Sequence, residues 1–68
     1  MDVNGLRQRV RSGLDDGDFA LLYLWVSFWA NGGCASRADM DSFIYGLKEL
    51  PDYDALVLGA VVEELRHS

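Results

Sequence analysis

Residues 18–33 read DFALLYLWVSFWANGG, and the conformation of this stretch decides the fold. From Phe19 to Ala30 only Ser27 interrupts the apolar run. Its aromatic and branched residues would suit a strand, and Asn31-Gly32 would suit a hairpin turn. However, Cys34-Ala35-Ser36-Arg37-Ala38-Asp39 cannot serve as the returning strand. Read as a helix, Phe19, Leu22, Trp25 (or Val26) and Trp29 form one stripe, and Leu21, Leu24 and Phe28 form another. Asp15, Asp16 and Asp18 offer capping side chains before it, and Asn31-Gly32-Gly33 is a stop. These features predict a helix over about 17–31, apolar and therefore buried on most faces, at the centre of the fold.

The flanking segments also read as helix. Val3, Leu6, Val10 and Leu14 are spaced as one stripe of a helix over about 2–13, with Gly13 beginning a break. Ser36 followed by Asp39 is a near capping box, and Met40, Phe43, Ile44, Leu47 and Leu50 carry an amphipathic helix over 37–50. Pro51 ends that helix and suits the start of the next, which runs over 52–66. Its stripe is Tyr53, Leu56, Val57, Ala60, Val61 and Leu65, widened by Leu58 and Val62. The expected fold is all-α: a compact bundle of four short helices with the second one central, in a single domain over residues 1–68.

Size bears on function. A chain of 68 residues buries only about 60% of its unfolded surface, so its core is marginal. Such domains lean on disulfides, a metal or a partner. Cys34 is the only cysteine and His67 the only histidine, so an intrachain disulfide and a four-ligand zinc site are both excluded. A partner surface is the support left open. The apolar run of residues 19–30 is too short for a membrane span, which takes about 20 residues. No basic segment leads into an apolar stretch at the start, so no signal peptide is expected. Together with a free cysteine, this reads as a cytoplasmic chain.

The net charge is −5. Arg7, Arg9 and Arg11 lie in the first 14 residues, and residues 15–68 hold ten acids against three bases. That surface repels phosphate, so neither direct nucleic-acid binding nor docking on anionic membranes is expected. The three arginines are a candidate basic docking face for an acidic partner.

The residues needed for catalysis are not grouped in the sequence. Cys34 and His67 are the one Cys/His combination, and His67 is the penultimate residue. Asp15, Asp16 and Asp18 lack the terminal glutamate of a calcium loop. Asn31-Gly32-Gly33 ends a helix, where a phosphate cradle would join a strand to one. The chain is also small for a ligand pocket of about 300 Å³. No enzyme activity, cofactor, metal or small-molecule substrate is expected.

Met40-Asp41-Ser42-Phe43 followed by Leu47 resembles the Asp-Ser-Leu motif of acyl and peptidyl carrier proteins. That resemblance implies a four-helix carrier domain with phosphopantetheine on Ser42. Ser36 through Leu65 loosely resembles a phage-repressor helix-turn-helix. Its exposed face sets Arg37 and Lys48 against Asp39, Asp41 and Glu49, which suits an acidic regulator occupying a DNA-binding partner's basic surface better than direct DNA reading. The leading expectation is a non-catalytic interaction module, an accessory or regulatory subunit that pairs with itself as a homodimer or with another protein. Tyr23, Trp25, Trp29, Tyr45, Leu58 and Val62 are the pool from which its interface is drawn, since interfaces favour Trp and Tyr.

Overall fold

A computed structural model describes residues 2–67, with side chains from Asp2 to Arg66. Helix α1 spans Val3–Asp15, α2 Leu21–Ala30, α3 Arg37–Ile44 and α4 Asp52–His67. The described residues contain no strand, and the fold is the expected all-α bundle of four helices. α1 packs on α3 and α4, and α2 packs on the same two helices. Between them lie Leu6 and Val10 of α1, Leu24 and Phe28 of α2, Met40, Phe43 and Ile44 of α3, and Leu58, Val61 and Val62 of α4. Each large side chain buried there contributes about 1.5–3 kcal/mol over its exposed state.

Helix starts follow local chemistry. The Asp2 carboxylate accepts the Gly5 N–H at 3.1 Å, and Ser36 Oγ accepts the Asp39 N–H at 3.1 Å. Each satisfies a donor that the first turn leaves unpaired. The Pro51 carbonyl accepts the Ala55 N–H at 3.0 Å, which places the proline at the cap of α4. There its missing N–H costs nothing.

Helix ends follow a single rule three times over. Gly17, Gly32 and Gly46 have φ of 76°, 100° and 77°, the left-handed conformation glycine adopts without strain. At each one, two N–H groups turn back onto the preceding helix. Gly17 and Asp18 donate to Leu14 and Gly13, Gly32 and Gly33 to Trp29 and Phe28, and Gly46 and Leu47 to Phe43 and Ser42. These are Schellman closures, which satisfy the last carbonyls of α1, α2 and α3.

That rule corrects three predicted boundaries. α1 continues through Gly13 to Asp15 because Gly13 is a packing glycine, with the Phe19 ring lying where a β-carbon would stand. α2 begins at Leu21, not residue 17, because Gly17 closes α1. Asp15, Asp16 and Asp18 therefore belong to the end of α1 and its turn, and Ala20 caps α2 with no side-chain hydrogen bond. α3 stops at Ile44, not residue 50, because Gly46 turns the chain. Leu47, expected in the core, is 81% exposed as a result.

Helix rotation supplies two further corrections. α2 was expected to be enclosed on most faces, but it buries only Leu24 and Phe28 completely, with Leu21 and Trp25 partly buried. Leu22, Tyr23, Val26 and Trp29 face outward. On α4 the buried line runs through Ala55, Leu58, Val61 and Val62, while Tyr53 and Leu56 of the predicted stripe are exposed. Both faces of each helix are apolar enough to be core, so periodicity alone does not choose between them. Polar ties do choose: Asp54, buried on α4, accepts the Cys34 N–H at 3.1 Å. Arg66 near the other end reaches the Arg9 carbonyl at 3.2 Å and the Asp18 carboxylate at 3.3 Å.

Candidate functional site

The outward face of α2 is built from Leu22, Tyr23, Val26, Trp29 and Ala30, all exposed. At 100° per residue they share about one third of the helix circumference. The four large side chains are 54%, 59%, 45% and 63% exposed in chain order, so each stays fixed at its base while much of its apolar surface meets water. α2 contains no charged residue over its whole length. The face is held rigidly. Phe28 and Leu24 anchor its back, and the Trp25 indole N–H donates to the Ala35 carbonyl at 3.0 Å. Phe28 also lies over Gly33, where a β-carbon would collide with its ring. The Tyr53 hydroxyl stands beside Gly32, which brings an exposed aromatic of α4 to the turn that ends α2.

The structure divides the six candidate interface residues. Tyr23, Trp29 and Tyr45 are exposed. Trp25 is partly buried and spends its one polar group on Ala35. Leu58 and Val62 are core residues at 0% and 1% exposure, which corrects their place in the pool. Leu22 and Val26, outside the pool, are exposed on the same face as Tyr23 and Trp29. Their spacing with Trp29 was visible, but the core and outer stripes of α2 are equally apolar.

The basic face is also divided. Arg7 is structural: its side chain is 15% exposed, and its guanidinium donates to the Phe43 carbonyl, the Lys48 carbonyl and the Glu49 carboxylate. Arg9 and Arg11 are exposed, and the Arg11 guanidinium lies 5.8 Å from the centre of the Tyr45 ring. Arg7, Gln8, Arg11 and Tyr45 line an open cleft of about 430 Å³ between α1 and the end of α3. A second cleft of about 510 Å³ is lined by Cys34, Asp39, Lys48, Leu50 and Asp54. Both exceed the volume expected of so small a chain because they are open surface grooves and not enclosed pockets.

In the second cleft the Lys48 ammonium stands 2.7 Å from the Asp39 carboxylate. Its hydrogen bond holds the Asp39 carboxyl below the ordinary carboxylate range, against a smaller opposing effect of burial and with help from Ser36. Cys34 is exposed, its sulfur 3.8 Å from the Gly32 carbonyl. The His67 side chain lies outside the described residues, so the Cys34/His67 combination has no described geometry. Among the described residues no three His, Cys, Asp or Glu side chains converge as metal ligands, and no helix is long and apolar enough to cross a membrane. Ser42 sits six residues into α3, not at a helix start as the carrier-protein resemblance implies.

No family model, curated protein or solved structure matches the chain.

Proposed function

We propose that the protein is a non-catalytic interaction module of the cytoplasm, an accessory or regulatory subunit that works by contact through the open face of α2. The observation that carries this reading is the uncharged face of Leu22, Tyr23, Val26 and Trp29. An exposed apolar patch on a small monomer usually marks a binding surface, and Trp and Tyr supply large contact area there. The domain's size supports the same reading, since a marginal core without a disulfide gains stability from a partner. The basic cleft around Arg11 is secondary, because Arg7 is consumed in holding α3.

Native mass spectrometry of the protein isolated from its own host tests the reading. The wild-type chain is expected in an assembly heavier than one chain, and Trp29→Glu, on an exposed position, is expected to release it. An assembly that survives Trp29→Glu and Val26→Lys would overturn the role of α2. A lone chain with a phosphopantetheine-sized adduct on Ser42 would overturn the module in favour of a carrier.

A further inference from the structure

The geometry points to a second copy of this chain as the occupant of the α2 face, laid antiparallel across a two-fold axis at Val26; this rests on the reading of that face as a docking surface. Leu22, Val26 and Trp29 are spaced 4 and 3, the seam pattern of paired helices. A two-fold pairing must be self-complementary: where one residue meets a second in the partner, the second meets the first in return. With Val26 on the axis, it meets its own copy, and Leu22 lies within one residue's rise, about 1.5 Å, of the level of Trp29 of the partner subunit, on the same flank of the seam. The smallest side chain of the seam then sits where the helices approach most closely. The bulkiest is placed opposite a smaller one.

Charge limits where a second copy can sit and sets its direction. The chain carries a net −5, so two copies repel overall and can approach closely only over an uncharged surface, and α2 holds no charge. The turn before α2 carries Asp15, Asp16 and Asp18, all exposed, with Arg66 paired to the last two, which leaves an acidic excess there, whereas residues 31–36 after it carry no acid or base. A parallel pair would stack the two acidic turns. An antiparallel pair sets each acidic turn beside the partner's neutral loop and opposes the two helix dipoles.

Area places the contact in the weak, transient class of interface. The four exposed side chains offer roughly 400–500 Å² per copy, against about 800 Å² per partner in a standard interface. Ala30, exposed on the same face, extends the contact. The pair is therefore a concentration-dependent dimer and not a permanent one.

The test uses the full chain with Cys34→Ser, which leaves no native thiol, and one new cysteine at position 22, 26 or 29. A short bis-maleimide is expected to link Val26→Cys chains to each other. It should join Leu22→Cys to Trp29→Cys about tenfold faster than either to itself, as proximity requires. Self-linking at 22 and at 29 without the crossed product would overturn the antiparallel register. No linking at any position, with circular dichroism unchanged, would overturn the second copy as occupant. The docking reading would outlive that result only if the protein from its host carries a different chain that Val26→Lys releases. It would fall too if Val26→Lys leaves the native mass unchanged.

Discussion

Arg7 on α1 donates its Nε–H to the Phe43 carbonyl at 2.7 Å across 36 positions of chain, and its guanidinium carbon stands 4.6 Å from the centre of the Phe43 ring. The same side chain reaches the Lys48 carbonyl at 3.1 Å. One cation thus satisfies carbonyls at the end of α3 and in the segment after it, and it fixes where the chain turns toward α4. Arg7→Ala is expected to cost about 2–3 kcal/mol, because hydrogen bonds to a charged donor are worth more than neutral ones. In a domain this size the melting temperature should fall by roughly 10 °C or more. Arg7→Lys should recover less than half of the loss, since an ammonium cannot reproduce the planar fork. An alanine variant that melts with the parent would refute the clamp.

The glycines divide into two kinds that substitution separates. Gly13 and Gly33 are packing positions beneath Phe19 and Phe28, so alanine at either should destabilise by about 1–3 kcal/mol through overpacking. Gly17 and Gly46 have open space beside them and a left-handed backbone, so alanine there should cost about 1–2 kcal/mol from conformation alone. Asparagine should recover part of the loss at 17 and 46 and none at 13 and 33. Equal behaviour of the two pairs in chemical denaturation would refute the distinction.

Asp54 ties the loop after α2 to the first turn of α4 through the Cys34 N–H. Asp54→Ala leaves that donor without its acceptor and should cost about 1–3 kcal/mol. Asp54→Asn keeps an acceptor oxygen and should cost less. Hydrogen exchange at Cys34 should quicken in the alanine variant beyond the change in global stability, and an unchanged rate would show that the carboxylate is not its protection.

The Asp39–Lys48 pair predicts a pH dependence of definite sign. The folded value of Asp39 lies below its unfolded value. Its contribution is therefore complete above the unfolded pKa and is lost as pH falls through the folded one. Carboxyl-carbon NMR should show Asp39 titrating below the ordinary aspartate range, and Lys48→Met should raise its midpoint. The pair is exposed, so the melting temperature at neutral pH should barely move. A midpoint indifferent to Lys48→Met would contradict the cause given.

Helix number and type were legible in the sequence because the stripes at Val3–Leu14 and Met40–Ile44 have no competing apolar face. Boundaries were less so. Gly13, Gly17, Gly32, Gly33 and Gly46 are identical as letters, yet three close helices and two make room for phenylalanine rings. Only the three-dimensional neighbours tell them apart. Helix rotation was illegible for the opposite reason: α2 and α4 are apolar on two faces, and contacts distant in sequence, such as Asp54 with Cys34, decide which face turns inward. The outer face of α2 could not be drawn from composition for that same reason. Arg7 was visible as a cation, but its carbonyl partners come from a turn whose position depends on Gly46.

The most direct test of self-association through α2 is sedimentation equilibrium of the wild-type chain and Val26→Lys over a wide concentration range. The wild-type weight-average mass should climb from the 7.6 kDa of one chain toward twice that value through the micromolar range, while Val26→Lys stays at one chain with its helical content intact. A wild-type chain that remains at 7.6 kDa at the highest concentrations, or a Val26→Lys chain that dimerises equally well, would contradict the account.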